Sequence, residues 1–193
     1  MTDAATEEVP RAKAVAFLVA NEGVEQVELT APWDAVRAGG ASPVLIAPKA
    51  DSVRAFNHLD KGEIFAASMS TQDADPDAFD ALVLPGGVAN PDQLRLDHPA
   101  IDFIRTFAAS GKPIAAICHG PWTLIEADVV RGRRMTSWPS LRTDLRNAGA
   151  EWVDQALVEC TNGAGPLITS RRPDDLEVFC NRLVELLSAR QTT

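Results

Sequence analysis

The stretch Pro113-Ile114-Ala115-Ala116-Ile117-Cys118-His119-Gly120-Pro121 decides the fold. Residues 114–117 form an apolar run that follows Gly111-Lys112-Pro113, which is typical of a strand buried on both faces of a parallel sheet. Pro121 suits the first turn of a helix that continues to Ala127. The sequence therefore predicts a nucleophile elbow, in which Cys118 lies on a sharp strand-to-helix turn between small residues.

Cys118 is the candidate nucleophile of this elbow. The free N–H groups and the positive dipole end at a helix N-terminus favour a thiolate over a thiol, and His119 stands beside the cysteine. The alternative is a structural one, because cysteine is often a small buried hydrophobic residue. The adjacent His119 and Gly120 favour the reactive interpretation.

The rest of the chain alternates apolar runs with helical patterns. Buried strands are predicted at 13–20, 43–47, 79–84 and 167–170, one or two short strands within 53–67 and within 151–160, and a short strand near residue 135. Helices are predicted from 25 to a stop at Gly39-Gly40, with a kink or break at Pro32, and at 99–110, 121–127, 139–148 and 173–187. Residues 21–23 are predicted as a turn, and residues 90 and 91 as part of a loop. This alternation predicts a single α/β domain over 13–190 with a mostly parallel central sheet, and a disordered tail at 1–12.

Two further features end predicted strands on the same edge as Cys118. Gly86 and Gly87 follow strand 79–84, and their bare N–H groups could stabilise an oxyanion, although a tight loop explains two glycines equally well. Glu25 follows strand 13–20 and opens a helix, where a carboxylate is favoured on electrostatic grounds alone. Sites of open α/β sheets lie at the carboxyl ends of the strands, so we expect these groups to meet.

Composition excludes several classes of protein. The 193 residues are 46% hydrophobic with a net charge of −9, which argues against a disordered chain and against nucleic-acid binding. No run is long enough for a membrane span, and the N-terminus lacks the apolar core of a secretory signal. Three cysteines without paired spacing indicate a reducing cytoplasm. Only three histidines are present and no metal motif appears, so we expect no metal and no cofactor.

Five segments together resemble the PfpI family, within the superfamily of the parkinsonism-associated deglycase. The resemblance covers nearly everything from Lys13 to Leu187, and its joint motifs are highly specific. The segments are Ala115-Ala116-Ile117-Cys118-His119-Gly120-Pro121, Ala81-Leu82-Val83-Leu84-Pro85-Gly86-Gly87, Thr136-Ser137-Trp138-Pro139, Asn147-Ala148-Gly149-Ala150-Glu151-Trp152-Val153-Asp154 and Ser170-Arg171-Arg172-Pro173-Asp174-Asp175-Leu176.

The resemblance implies a flavodoxin-like three-layer sandwich and a homodimer or larger assembly. It assigns the reactive cysteine to Cys118, the adjacent histidine to His119, and the glutamate that contacts the thiol to Glu25, although this turn is one residue longer at Gly23-Val24. Because two anions in contact repel, a Glu25 that touches a thiolate should carry the proton near pH 7. The oxyanion N–H groups fall at Gly86 or Gly87 and at the elbow.

Two positions depart from the family pattern. Where proteolytic relatives complete a triad with a glutamate from a neighbouring subunit, this chain has the shorter Asp92. A pocket position that is often tyrosine is Trp138, in a chain that contains no tyrosine. Both departures weaken the expectation of peptidase activity.

The functional hypothesis is a stress-associated enzyme with a nucleophilic, oxidisable Cys118. Its substrates would be small reactive carbonyls, such as 2-oxoaldehydes, or their adducts on protein side chains, in a deglycase- or glyoxalase-type reaction. His119 would move protons, and the glycine loop would stabilise the oxyanion. An intracellular cysteine peptidase is the alternative among enzymes. A redox sensor or holdase chaperone without turnover is the alternative of another class.

Overall fold

A seven-stranded open sheet forms the centre of the computed structural model, which describes residues 11–189. The order across this sheet is β11-β12-β8-β7-β1-β3-β6, and every neighbouring pair is parallel except β11 with β12. The seven strands are β1 Ala14–Leu18, β3 Ser42–Ala47, β6 Met69–Ser70, β7 Ala81–Leu84, β8 Ile114–Ile117, β11 Leu157–Cys160 and β12 Leu167–Ser170.

Two small sheets flank this centre. In the first, β2 (Glu22–Glu25) pairs in parallel with β4 (Ser52–Asn57), which forms an antiparallel hairpin with β5 (Asp60–Ala66). In the second, β9 (Arg134–Met135) pairs in parallel with β10 (Glu151–Trp152). The β4–β5 hairpin carries its turn, residues 58–59, towards the carboxyl ends of the central strands.

Helices cover both faces of the central sheet. The side chains of β1 alternate between two apolar cores, with Ala16 and Leu18 in one and Val15 and Phe17 in the other, as the two-residue period of a strand requires. The first core is closed by α3 and α4, the second by α1 and α6. The helices are α1 Gln26–Ala38, α2 Ala89–Leu94, α3 His98–Ala109, α4 Pro121–Glu126, α5 Arg142–Asn147 and α6 Leu176–Ala189.

This architecture confirms the predicted flavodoxin-like α/β sandwich with a mostly parallel sheet. Most of the predicted tail, residues 1–10, lies outside the described residues. Helix α1 passes through Pro32 without a break. Within residues 11–189, no helix is both long enough and apolar enough to cross a bilayer.

Two short elements differ from the sequence-based expectation. The segment predicted as a turn at 21–23 contributes to β2, because its backbone pairs with β4. The loop expected around residues 90 and 91 forms the short helix α2. Both elements lie beside the elbow, and their positions decide which side chains reach Cys118.

Candidate active site

Cys118 directly follows β8 and adopts the left-handed backbone region, with φ of +61°. This conformation is uncommon for a residue with a side chain, and it turns the chain sharply into α4. The backbone is fixed on both sides, since Cys118 N–H donates to Ser170 O at 3.0 Å and Trp138 N–H donates to Cys118 O at 2.8 Å. The predicted nucleophile elbow is therefore present.

The elbow forms the floor of a cavity of about 800 Å³ at the carboxyl ends of the strands. The sulfur side chain is 6% exposed, so reagents reach it only through this cavity. Apolar and aromatic side chains dominate the walls, together with a few ionisable groups. The lining residues are Gly23, Glu25, Glu28, Phe56, His58, Leu59, Gly87, Val88, Ala89, Asp92, Cys118, His119, Trp122, Trp138, Ser140 and Pro173.

Glu28, in the first turn of α1, is the carboxyl group that contacts the thiol. It is completely buried and interacts with the Cys118 side chain as a hydrogen-bond partner. Its Oε2 accepts from Gly86 N–H at 2.9 Å, whereas Oε1 has no partner of ordinary hydrogen-bond geometry among the described residues. Oε1 is therefore the oxygen that is left to carry a proton beside the sulfur.

Burial raises the pKa of Glu28 to about 8, and the nearby Glu25 carboxylate raises it further. The hydrogen bonds with Cys118 and with Gly86 N–H act in the opposite direction and are weaker. Glu28 is therefore mostly protonated near pH 7. It can donate to a sulfur anion, which a carboxylate could not do.

Burial also raises the pKa of the Cys118 thiol, and an ionised Glu28 raises it further. The N–H groups of Gly87 and His119 lower it by hydrogen bonding to the sulfur. The resting thiol is therefore protonated near neutral pH, in contrast to the thiolate expected from the helix N-terminus. Because Glu28 and Cys118 repel each other when both are ionised, a thiolate in this site requires a protonated Glu28.

His119 places a neutral imidazole beside the thiol. Its Nδ1 lies 3.2 Å from Cys118 Sγ, and its Nε2 lies 3.4 Å from Ser140 Oγ. Burial lowers the pKa of His119 to about 4, so the imidazole is uncharged near pH 7. Trp138 stacks on this ring with centroids 5.7 Å apart, and Trp122 packs against it at 5.8 Å. The histidine is thus held in one position.

The predicted glycine pair lies directly against the elbow. Gly86 and Gly87 leave no room for side chains, because an added Cβ would lie 2.6 Å from Cys118 Cβ and 2.3 Å from Gly23 O, respectively. Gly86 N–H is occupied by Glu28, whereas the N–H groups of Gly87 and His119 face the sulfur. These two donors could stabilise an oxyanion formed on a carbon that is bonded to the sulfur.

Three other predicted residues line the same cavity. Glu25 is buried, but its carboxylate accepts from the backbone N–H of His58 at 3.0 Å, so the thiol contact predicted for Glu25 belongs to Glu28. Glu25 is the last residue of β2 and the N-cap of α1, so it precedes the helix. The first residue of α1 whose side chain is buried is Glu28, and this side chain reaches the thiol. Asp92 is exposed on α2 at the cavity wall, and Trp138 stands at the mouth.

Several cavity residues escaped the sequence analysis. Glu28 had a usable signal, since it shares the buried stripe of α1 with Pro32 and Val36 at spacings of four residues. A carboxyl group on such a stripe is a candidate for a perturbed pKa. No sequence pattern identified Phe56 and His58 as cavity residues, because the β4–β5 hairpin reaches the site only through tertiary packing.

Comparisons with known proteins agree with this geometry. Residues 13–186 match the model of the DJ-1/PfpI family. The chain is 41% identical to Protein/nucleic acid deglycase 2 of Escherichia coli, over 92% of this chain and 99% of the relative. It is 39% identical to the Bacillus subtilis protein YraA, whose name includes "cysteine protease", over 91% of this chain and 98% of the relative. The crystal structure of Drosophila melanogaster DJ-1beta superposes with a TM-score of 0.79 at 27% identity, covering 91% of this chain and 90% of that chain.

The raised pKa of Glu28 predicts a pH-dependent stability. A carboxyl group whose pKa is raised in the folded state stabilises it fully below about pH 4.5, and this contribution is lost as the pH rises through about 8. We expect the free energy of unfolding of the wild type, relative to Glu28→Gln, to fall by about 2–4 kcal/mol across this interval. Urea denaturation at several pH values measures the difference.

Glu25→Gln is the matched control, because it changes a glutamate of the same cavity and leaves Glu28 in place. It should retain most of the wild-type pH dependence of stability, because burial, the largest cause of the raised pKa of Glu28, is unchanged and only the contribution of the Glu25 charge is lost. Parallel curves for wild type and Glu28→Gln would contradict the protonated state of Glu28.

Proposed function

The chain belongs to the DJ-1/PfpI family, and on that premise we propose that it is a cysteine-dependent hydrolase of the deglycase type. One observation carries the proposal. A thiol, a neutral imidazole, a protonatable carboxyl group and two backbone N–H donors converge at the floor of one cavity. These are the groups that addition of sulfur to a carbonyl carbon requires. The deglycase name of the Escherichia coli relative supports the same reaction class.

The proposed first step is addition of Cys118 Sγ to the aldehyde carbon of a 2-oxoaldehyde such as methylglyoxal. The thiol proton passes to His119 Nδ1, the S–C bond forms, and the carbonyl electron pair moves to oxygen. The N–H groups of Gly87 and His119 donate to this oxygen until it takes the proton from His119. Glu28 stays protonated, so no carboxylate opposes the transient charge on sulfur. The product is a hemithioacetal.

The later steps balance without an external oxidant. The hydrogen on the sulfur-bearing carbon moves as a proton to the neighbouring ketone carbon, and the hydroxyl proton moves to the ketone oxygen, so that one carbon is oxidised and the other is reduced in the same molecule. The resulting thioester of a 2-hydroxy acid reacts with water, the C–S bond breaks, and the acid leaves with a regenerated thiol. With an adduct on a protein side chain, Sγ replaces the side-chain nitrogen, which leaves with a proton.

The cavity favours small carbonyl substrates and exposed protein adducts. Sγ is deeply recessed, whereas Leu59 and Trp138 at the mouth are exposed. A long flexible adduct can enter from a protein surface, but a folded polypeptide backbone cannot reach the sulfur. Phe56 and Trp138 offer apolar contacts to the methyl end of the substrate.

Replacement of the nucleophile tests this proposal. We expect Cys118→Ser to lower conversion of methylglyoxal to its 2-hydroxy acid by about a thousandfold or more, because the hydroxyl is a far weaker nucleophile here. Cys180→Ser, in α6, is the matched control and should retain activity. Product formation is measured by chromatography. Equal rates for wild type and Cys118→Ser would reject the proposed reaction.

The alternatives predict different results in the same assays. An intracellular cysteine peptidase, a possibility supported by the name of the YraA relative, would cleave casein in a Cys118-dependent manner. A redox sensor or holdase chaperone would show no turnover of either substrate. Asp92, in place of the glutamate of proteolytic relatives, makes peptidase activity the weaker hypothesis.

We also propose that the protein acts as a homodimer or larger assembly. The segment 88–96 borders the cavity and carries the exposed apolar residues Val88 and Leu96 beside Asp92. A second subunit would cover these side chains and bring Asp92 close to a site. Light scattering at micromolar concentration should give a mass at least twice that of the monomer. In the variant Leu96→Glu, the measured mass should fall towards that of the monomer. A monomeric wild type would contradict the assembly.

Oxidation should distinguish Cys118 from the other two cysteines. All three are free and buried, but only Cys118 opens into the large cavity and receives N–H donors that stabilise its anion. Burial raises the thiol pKa of both Cys118 and Cys180, so access through the cavity and the adjacent His119 are what distinguish Cys118. Substoichiometric peroxide followed by peptide mass spectrometry should find oxygen on Cys118 first, as sulfenic or sulfinic acid. Earlier oxidation of Cys160 or Cys180 would contradict an activated elbow.

The physiological setting follows from the same residues. Free cysteines fit a reducing compartment, and we propose that the protein acts in the cytoplasm during carbonyl or oxidative stress. Its partners there would be small-molecule carbonyls and protein adducts. Nucleic-acid phosphate backbones are poor partners, because the chain carries a net charge of −9.

A further inference from the structure

Asn90 is a buried amide next to the glycine loop that the proposed mechanism does not use. Its side chain is 1% exposed and lies outside the lining of the cavity. Oδ1 accepts from Ala20 N–H at 2.7 Å, and Nδ2 donates to Pro85 O at 3.0 Å and to Gly86 O at 3.1 Å. Asn90 therefore ties the chain just after β1 to the loop after β7.

One of these contacts determines the direction of a peptide plane. The carbonyl of Gly86 and the N–H of Gly87 belong to the same peptide group, and the described chain contains no cis peptide bond. In a trans peptide, the C=O and N–H point in opposite directions. Asn90 holds Gly86 O on one side of the plane, so the Gly87 N–H points to the other side, towards the Cys118 sulfur.

The loop itself does not fix this direction. Gly86 and Gly87 lack side chains, and Gly87 has φ of +83°, so rotation of the peptide between them meets little torsional resistance. The other contact to Gly86 O is the N–H of Glu25 at 3.3 Å, which is longer than the contact from Asn90. Rotation would also turn a carbonyl oxygen towards the sulfur, and its partial negative charge would oppose a thiolate.

We propose that Asn90 is a positioning residue that keeps the Gly87 N–H directed at the Cys118 sulfur and at the oxyanion that forms beside it. The effect of Asn90 on the oxyanion, and therefore on turnover, rests on the proposed function. The part that concerns the thiol does not, because the sulfur contact exists without substrate.

Asn90→Leu tests the proposal, since leucine has the same number of side-chain heavy atoms and the same branching at Cγ and makes none of the three hydrogen bonds. Alkylation of Cys118 by iodoacetamide, followed from pH 6 to pH 10, should be about tenfold slower near neutral pH, and its profile should move to higher pH. The kcat for methylglyoxal should fall about tenfold or more with little change in KM, because an oxyanion donor acts mainly in the transition state.

Asn21→Leu is the matched control. Asn21 also uses its amide for three backbone contacts, to Lys49 O, Ser52 O and Lys49 N–H, but these lie away from the sulfur. It should leave the alkylation profile unchanged. If Asn90→Leu does not fold, Asn90→Ala and Asn21→Ala replace the pair, with thermal melting used to verify folded protein.

The outcomes separate this proposal from the proposed function. A folded Asn90 variant with the alkylation profile of the wild type would overturn the role of Asn90, whatever its turnover. A shifted profile supports the role even if wild-type protein does not convert methylglyoxal, a result that would reject only the proposed reaction. A change in KM alone, with an unchanged profile, would indicate a structural role and also overturn the proposal.

Discussion

The left-handed backbone of Cys118 is the constraint on which the rest of the site depends. Such a conformation costs on the order of 1 kcal/mol or more for a residue with a side chain, so neighbouring contacts must hold it. The hydrogen bonds of Cys118 N–H with Ser170 O and of Cys118 O with Trp138 N–H provide this support. Because they come from β12 and from the loop after β9, Cys118 is positioned by segments distant from it in sequence.

The electrostatics of the site follow from burial. Glu28, His119 and Cys118 are all removed from water, and each is therefore displaced towards its neutral form. These three groups therefore carry no charge at rest near neutral pH. The N–H groups of Gly87 and His119 are already in place to stabilise an anion on the sulfur.

The sequence predicted what depends on local pattern. The apolar run before Cys118 and the small residues around it were sufficient for the strand, the turn and the position of Cys118 on that turn. The same reasoning selected Glu25 instead of Glu28, because the strand pairing of β2 with β4 moves the start of α1 and cannot be seen in a turn-like segment. The role of Asn90 could not be predicted from the sequence either, since its partners Ala20 and Gly86 become neighbours only when the sheet is assembled.

The two edge strands of the central sheet, β11 and β6, are built in ways that disfavour pairing with the sheet of another molecule. At one edge the last strand, β6, has only two residues, so it exposes few unpaired backbone groups with which a strand of another molecule could pair. At the other edge β11 is antiparallel to β12, and its Glu159 forms an ion pair with Arg182 of α6, with 2.8 Å between Oε1 and the guanidinium nitrogen. Short or charged borders of this kind resist the growth of β-structure between molecules.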